Sequence, residues 1–258
     1  MTISLRGFPK LQPALFLLYD PAEKYTRKAL ERAKYAPRVL VGGSKDVTRE
    51  DAENMIDELV NVYRVDKSKI YLFPGHESQL TPKAHGVFLP ACIPNSKNPE
   101  NLGPRQERAM PLLKQLYGDN VEKVWYYPHG GDAFEVAECR KTTEREEYML
   151  FDKWTRKGDF EWYYQEGGSG QEMIPLHRIR KCFEICKKRG KKFIVGGGIR
   201  TYEQAKTLRE SGINFIVISN AQLEPWGPYE IKKIQTRLYT ARDIATALAF
   251  YNWRRRLY

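Results

Sequence analysis

The chain has 258 residues, which is enough for one large α/β domain or two small ones with a complete apolar core. No apolar stretch approaches the roughly 18 residues that a membrane span needs, so we expect no segment that crosses a bilayer. The formal net charge of +11 favours anionic partners, such as phosphates, diphosphates, nucleic acid or an acidic membrane face.

The basic residues are dispersed, with short clusters such as Lys187–Arg189 and Arg254–Arg256. No recognition-helix, RNP-type or zinc-finger pattern accompanies them, so we expect no nucleic-acid partner. The first residues lack a basic segment followed by an apolar one, so we expect no signal peptide and a cytoplasmic location. Cys182 and Cys186 are four residues apart rather than in a CxxC pair, which predicts helix positions and not a metal site.

Short apolar runs alternate with longer amphipathic segments along the chain. The runs that predict strands are Leu15–Tyr19, Arg38–Val41, Ile70–Phe73, Gly86–Ala91, Lys123–Tyr127, Phe160–Tyr164, Phe193–Val195 and Asn214–Ile218. Between them, apolar residues recur at three- and four-residue steps, which is typical of helices. The clearest predicted helices are Arg49–Tyr63, Pro175–Arg189, Thr201–Ser211 and Tyr229–Trp253.

This strict alternation implies a parallel sheet with right-handed crossovers. Eight units in about 250 residues match a TIM barrel, and no linker or repeat divides the chain. A doubly wound open sheet is the alternative, but Asp20-Pro21-Ala22-Glu23-Lys24 stands where its GxGxxG turn would follow the first strand. The sequence therefore predicts an α/β fold, a single-domain (β/α)8 TIM barrel over residues 1–258.

Glycine-rich turns follow the sixth and seventh predicted strands, over Tyr164–Gly170 and Gly196–Gly198, and Ser219-Asn220 follows the eighth. Glycines let the backbone approach an anion closely, and a following helix presents free N–H groups to it. The loops after strands 7 and 8 form the usual phosphate site of such barrels. We therefore predict a phosphate site here, the alternative being tight turns without a ligand.

Polar residues also follow other predicted strands. Asp20 and Ser44, after the first and second, suit Mg²⁺, which keeps waters and takes its remaining ligands from phosphate oxygens. Asp20 is equally compatible with a turn before Pro21. Glu166 is predicted to be a general base or a hydroxyl-orienting group, the alternative being an exposed loop acid. His129 ends the fifth strand, but no nucleophile pairs with it and no catalytic role is expected.

Taken in order, these turns resemble the geranylgeranylglyceryl phosphate synthase family, including its heptaprenylglyceryl phosphate synthase relatives. The matching segments are Leu17–Pro21 with Lys24, Val41–Ser44, Leu72–Gly75, Asn95-Ser96, Tyr164–Gly170, Val195–Arg200 and Ser219-Asn220. Each motif is common alone, but the ordered set is specific. The chain departs from the family at Gln165, where an apolar residue is usual, at Ser219, where glycine is usual, and at His85, where aspartate is commoner.

The resemblance implies a Mg²⁺-dependent prenyltransferase that joins geranylgeranyl diphosphate to the 3-hydroxyl of sn-glycerol 1-phosphate, making geranylgeranylglyceryl phosphate for archaeal-type ether lipids. It implies that Asp20 and Ser44 hold the metal on the diphosphate, and that Glu166 faces the reacting hydroxyl. The residues that it assigns to glycerol phosphate are Tyr164, Gln165, Glu166, Gly167, Gly168, Ser169, Gly170, Gly197, Gly198, Ser219 and Asn220.

The resemblance also implies self-association, because family members form dimers or hexamers, and the basic surface suggests peripheral contact with an acidic membrane. For the apolar groove that a prenyl tail needs, the candidates are Phe88, Trp125, Tyr126 and Tyr127, the alternative being that they fill the barrel. Two other interpretations stay open: another phosphate-binding TIM-barrel isomerase or synthase, or a non-catalytic anion-binding protein.

Overall fold

The computed structural model describes residues 15–42, 46–90, 104–129, 139–168, 171–199, 202–213 and 215–219. Within them, eight parallel strands close into a barrel in chain order, each paired with its neighbours and the first with the last. The strands are β1 (Leu15–Tyr19), β2 (Arg38–Gly42), β3 (Ile70–Phe73), β4 (Gly86–Pro90), β5 (Glu122–Pro128), β6 (Trp162–Glu166), β7 (Lys192–Gly196) and β8 (Phe215–Ser219). The predicted (β/α)8 barrel is confirmed.

Helices follow most of the strands. The α-helices of the described residues are α1 (Arg27–Glu31), α2 (Arg49–Asn61), α3 (Pro104–Tyr117), α4 (Glu144–Lys157), α5 (Leu176–Lys188) and α6 (Tyr202–Glu210). The longest of these has 14 residues, and none combines the length and apolar character that crossing a bilayer requires. Cys182 and Cys186 lie on α5, as predicted, and both thiols are buried. The predicted helix over Tyr229–Trp253 lies outside the described residues.

The link between β3 and β4 is the shortest in regular structure of the described part of the barrel. Only a short 3-10 turn, Glu77–Gln79, lies between these strands instead of an α-helix. Their ladder has two paired positions, Tyr71 with Gly86 and Leu72 with Val87, whereas five positions pair β4 with β5. Fewer positions are therefore paired between β3 and β4 than between β4 and β5, and no α-helix covers the link between β3 and β4.

The sixth strand was predicted two residues too early. Phe160 suggested its start, but this side chain packs from the preceding turn against Trp154 and Tyr163, with ring centroids 6.1 and 6.5 Å away. The strand instead runs on through two polar residues that are buried, Gln165 and Glu166. Because of this shift, Glu166 is the last residue of the strand and does not lie in the polar loop that the sequence predicted.

Aromatic side chains fill the inside of the barrel. Phe16, Tyr71 and Phe88 meet edge to face, with centroids 5.9 to 6.2 Å apart. Towards the lower end, the guanidinium of Arg38 and the ammonium of Lys192 lie 4.9 and 4.4 Å from the Trp162 ring. Packing of this kind makes the barrel interior a solid core, as expected for the fold.

The four groove candidates divide between the two faces of their strands. Tyr126 and Phe88 point inwards, where both contact Tyr164, and both are buried as barrel filling. Trp125 and Tyr127 point outwards and stack on each other 6.2 Å apart beneath the helices. The division follows because alternate residues of a strand face opposite sides of a sheet. All four side chains are buried, and their role in a prenyl groove stays a prediction.

Candidate functional site

Two loops meet backbone to backbone at the rim formed by the carboxyl ends of the strands. The amide of Gly167, after β6, donates a hydrogen bond of 2.8 Å to the carbonyl of Gly196, at the end of β7. Gly197 and Gly198 both adopt left-handed conformations, with φ of 80° and 69°. A Cβ atom at Gly197 would lie 2.6 Å from the Cα of Gly167. The close contact therefore requires glycine, and it forms a concave turn of backbone that we call the glycine cradle (Gly167, Gly197 and Gly198).

The cradle stands before a helix N-terminus. Helix α6 begins at Tyr202, four residues after Gly198, and the free N–H groups of such a terminus favour an anion. Strand β8 pairs with β7 on one side and with β1 on the other, where Ser219 lies opposite Leu18. The ends of β7, β8 and β1 are thus neighbours on the rim. Ser169, Gly170, Asn220 and the side chain of Ser219 lie outside what the structure describes.

Glu166 ends β6 beside the cradle. It lies opposite Gly196 in the β6–β7 ladder and opposite Pro128 in the β5–β6 ladder. Its side chain is buried, and its Oε1 accepts a hydrogen bond of 2.7 Å from the amide of Gly168. Burial disfavours the charged form and raises the pKa of the Glu166 carboxyl to about 7, although the Gly168 bond opposes the rise. The alternative prediction of an exposed loop acid is wrong.

Neighbouring residues of β6 point in opposite directions. The ring of Tyr164 lies inside the barrel, 5.4 Å from the ring of Phe88 and next to Gly196, where an added Cβ would be 2.5 Å from the Tyr164 hydroxyl. Gln165 points outwards, and its Nε2 donates to Oε1 of Glu147 at 2.5 Å. The alternation of the strand explains the difference. The structure thus does not bring the Gln165 side chain to the mouth of the barrel, contrary to the predicted contact with glycerol phosphate.

Asp20 follows β1 at the same rim. Its Oδ1 accepts a hydrogen bond of 3.0 Å from the amide of Ala22, and its own amide donates to the Tyr25 hydroxyl at 2.7 Å. The turn-forming role is therefore real, and it holds the half-buried carboxylate at the strand end. Ser44, the second predicted metal ligand, lies outside the described residues. Across the part of the chain that is described, no group of three or more His, Cys, Asp or Glu side chains is arranged to hold a metal.

The sequence did not predict a buried polar cluster just outside this rim. The Glu147 carboxylate, on the first turns of α4, meets Gln165 from β6, Arg178 from α5 and His129 after β5. The sequence predicted no catalytic role for His129 and no role for Glu147. The departure at Gln165 was the available signal, because a polar residue that faces the helices must be paired when buried.

A closed barrel with a glycine cradle and a buried carboxylate at the carboxyl ends of its strands has the layout of the (β/α)8 barrels that bind phosphate at this rim. Comparison with known proteins gives the family: the PcrB family model matches residues 11–236, and the chain belongs to the PcrB family. This confirms the resemblance that the ordered turns predicted.

Similar proteins agree with this assignment. The chain is 32% identical to geranylgeranylglyceryl phosphate synthase of Methanococcus aeolicus, over 83% of this chain and 86% of that protein. It is 28% identical to the protein of the same name from Zunongwangia profunda, over 80% and 89%. The structure matches (S)-3-O-geranylgeranylglyceryl phosphate synthase from Thermoplasma acidophilum, which is in complex with sn-glycerol-1-phosphate. The TM-score is 0.68 and the identity 23%, with 86% of this chain and 93% of the other covered.

The barrel alone does not separate enzymes of different function. Thiamine phosphate pyrophosphorylase from Pyrococcus furiosus also matches, with a TM-score of 0.53 and 15% identity over 89% of this chain and 98% of the other. What distinguishes members of one fold is the site at the rim, not the architecture.

Proposed function

We propose that this chain is a prenyltransferase that joins geranylgeranyl diphosphate to the 3-hydroxyl of sn-glycerol 1-phosphate and makes geranylgeranylglyceryl phosphate for ether lipids of the archaeal type. The observation that carries the proposal is the buried Glu166 carboxylate next to the glycine cradle, in a member of the PcrB family. A base that has lost most of its solvent contact, beside a seat for a phosphate, suits the deprotonation of a hydroxyl on a small phosphate ester.

The reaction assigns each group a task. The phosphate of glycerol phosphate binds in the glycine cradle, at the N-terminus of α6, and this fixes the position of the 3-hydroxyl. The hydroxyl oxygen forms a bond to C1 of the prenyl chain, and the bond from C1 to the diphosphate breaks with its electron pair going to the diphosphate. The hydroxyl proton goes to Glu166. The amide of Gly168 holds Oε1 of that carboxylate in place.

The residues at the rim fit Mg²⁺ bound through the substrate. A single carboxylate, Asp20, with the predicted ligand Ser44, is too small a set to cage Ca²⁺, but it suits an ion that keeps waters and binds phosphate oxygens. When bound, Mg²⁺ supplies positive charge that assists departure of the diphosphate. Asp20 would hold it from the end of β1, with its carboxylate oriented by the turn to Ala22.

Product formation tests the proposal directly. Purified protein is incubated with Mg²⁺, labelled sn-glycerol 1-phosphate and prenyl diphosphates of increasing length. We expect a labelled product that is extractable into organic solvent, with geranylgeranyl diphosphate giving the highest rate. Absence of extractable label with every chain length would contradict the proposal.

Replacing Asp20 by Asn tests the metal. Asn keeps an Oδ1 that can accept from the amide of Ala22, so the turn is preserved while the charge is lost. We expect kcat/KM for the prenyl diphosphate to fall on the order of 100-fold, because charge assistance to a leaving diphosphate is worth several kcal/mol. Steady-state rates at increasing Mg²⁺, with a chelator-treated sample as reference, measure this.

Asp159→Asn is the matched control, since Asp159 is an exposed carboxylate in the turn before β6. It should leave the rate and its Mg²⁺ dependence unchanged. Full turnover of the Asp20 variant without Mg²⁺ would instead favour another class of phosphate-binding barrel enzyme.

The same proposal extends to the setting of the enzyme. We propose a cytoplasmic protein that self-associates as a dimer or hexamer and touches acidic membranes peripherally, where its lipid product partitions. The net charge of +11 supports the membrane contact. Self-association is supported by the resemblance, because it implies a family whose members form dimers or hexamers. Light scattering gives the oligomeric state, and flotation with vesicles that contain anionic lipid, at low and high salt, measures the membrane contact.

A further inference from the structure

The carboxylate of Glu147 is fully buried between the barrel and its helices. Its Oε2 accepts from Nε of Arg178 at 2.9 Å, and a second guanidinium nitrogen of Arg178 also bonds it. Its Oε1 accepts from Nε2 of Gln165 at 2.5 Å and lies 3.3 Å from Nδ1 of His129. A buried charge is tolerated when it is paired and its remaining lone pairs are hydrogen-bonded, and both conditions hold here.

These donors connect Glu147 to Glu166 by two short routes. Gln165 is the residue before Glu166 in β6, so its outward side chain and the inward Glu166 share one stretch of backbone. His129 follows β5, and its amide donates to the carbonyl of Glu166 at 2.6 Å. Glu147 is thus linked to Glu166 in two ways: through Gln165, the preceding residue of β6, and through His129, whose amide bonds the Glu166 carbonyl.

We propose that Glu147 is a positioning residue for Glu166: by binding Gln165 and His129, it fixes the ends of β6 and β5 and aims the Glu166 carboxylate at the substrate hydroxyl. The inference rests on the proposed function. It also gives a purpose to the departure at Gln165, because an apolar residue at this position could not bond the Glu147 carboxylate.

A second ion pair on α4, between Asp152 and Arg189, joins helices without a described bond to β6 and so provides a control. Asp152 on α4 lies 2.5 Å from Arg189, at the end of α5, and so joins the same two helices. No strand residue bonds Asp152 among the described contacts, and its side chain is 38% exposed, whereas that of Glu147 is fully buried. Asp152→Asn is therefore the matched control for Glu147→Gln.

The test compares Glu147→Gln, Gln165→Leu and Asp152→Asn with the wild type. For the first two we expect kcat to fall about tenfold to 100-fold, because a displaced base loses alignment, while KM for glycerol phosphate changes less than about threefold. The Asp152 variant should match the wild type in both constants. Circular dichroism and thermal melting establish that each variant is folded.

A second measurement does not depend on turnover. In protein labelled with ¹³C at the glutamate carboxyls, the Glu166 resonance is identified by its loss in Glu166→Gln and titrated with pH. We expect the pKa of Glu166 to fall towards its ordinary value in Glu147→Gln and in Gln165→Leu. The groups that face Glu147 are Arg178 and Cys182 from α5, Tyr127 from β5 and His129, the residue after β5. Because Gln165→Leu changes no charge, a shift in that variant reports position.

The outcomes separate the two proposals. A wild type that makes no product contradicts the proposed function, and the Glu166 titration then tests the link by itself. An active wild type whose kcat and Glu166 titration are unaltered in Glu147→Gln and Gln165→Leu overturns the positioning role alone. If Glu147→Gln fails to fold, because Arg178 is left as an unpaired buried cation, Gln165→Leu decides the question.

Discussion

Replacing Glu166 by Gln is expected to lower kcat for prenyl transfer by about 100-fold to 10,000-fold, the range associated with loss of a general base. Gln keeps an oxygen that can accept from the amide of Gly168, so the end of β6 should remain in place. Binding of glycerol phosphate, measured by calorimetry, should therefore change little. Glu184→Gln, on an exposed position of α5, is the control and should retain full activity.

The pH dependence follows from the ionisation of the same carboxyl. The base must be ionised to accept a proton, and burial raises the pKa of Glu166 to about 7. We therefore expect kcat/KM to rise as pH increases through about 7. An activity profile that is flat between pH 5 and 9, which are about two units on either side of that pKa, would argue against Glu166 as the base.

The free energy of unfolding should fall over the same pH range in which kcat/KM rises. A carboxyl whose pKa is raised on folding stabilises the fold at pH values below its unfolded pKa, and this contribution is lost as pH rises through the folded pKa. For Glu166 the window runs from 4.5 to about 7. Above it, the wild type carries an ionisation penalty of about 3 kcal/mol that Glu166→Gln lacks. Denaturant unfolding should thus find the variant more stable than the wild type at pH 8, with little difference at pH 4.

Gly198→Ala should give the second large effect, on both stability and glycerol phosphate binding. The residue has φ of 69°, and a Cβ would lie 2.3 Å from the carbonyl carbon of Glu172 and the amide nitrogen of Met173. An alanine would therefore have to displace this backbone or Gly198 itself. We expect the free energy of unfolding to fall by about 2 kcal/mol or more, and KM for glycerol phosphate to rise about tenfold or more.

Gly190→Ala separates the conformational cost from the contact. Gly190 has φ of 66°, nearly that of Gly198, but nothing lies within 4 Å of an added Cβ. Its variant should lose only the ~1 kcal/mol of a left-handed alanine and keep the wild-type KM. Equal effects of the two substitutions on KM would show that the close contact of Gly198 with the backbone of Glu172 and Met173 does not shape the phosphate site.

The barrel was predictable from sequence because its strands are buried on both faces and read as apolar runs. For β1 and β3 the predicted bounds agree with the structure. The end of β6 was not predictable in this way, since Gln165 and Glu166 are polar and only tertiary packing keeps them in the sheet. Its displacement by two residues is a case of tertiary context overriding local composition.

The site was predictable only in part. The glycine cradle could be predicted because adjacent strand ends of a barrel must meet at one rim, whatever their distance in sequence. The Glu147 cluster could not, because it joins residues 18 to 31 positions apart through side chains on three separate elements. Because the predicted strand ended at Tyr164, strand alternation was not applied to Gln165 and Glu166, and their opposite orientations were not predicted.

The two-position ladder between β3 and β4 makes the cylinder mechanically uneven. Local opening costs least where few backbone hydrogen bonds and little packing must be given up. Local opening of the sheet should therefore occur mainly between β3 and β4, away from the ends of β6 and β7 that carry Glu166 and the cradle. Local opening between β3 and β4 would leave the β6–β7 ladder, which has five paired positions and carries Glu166, in place.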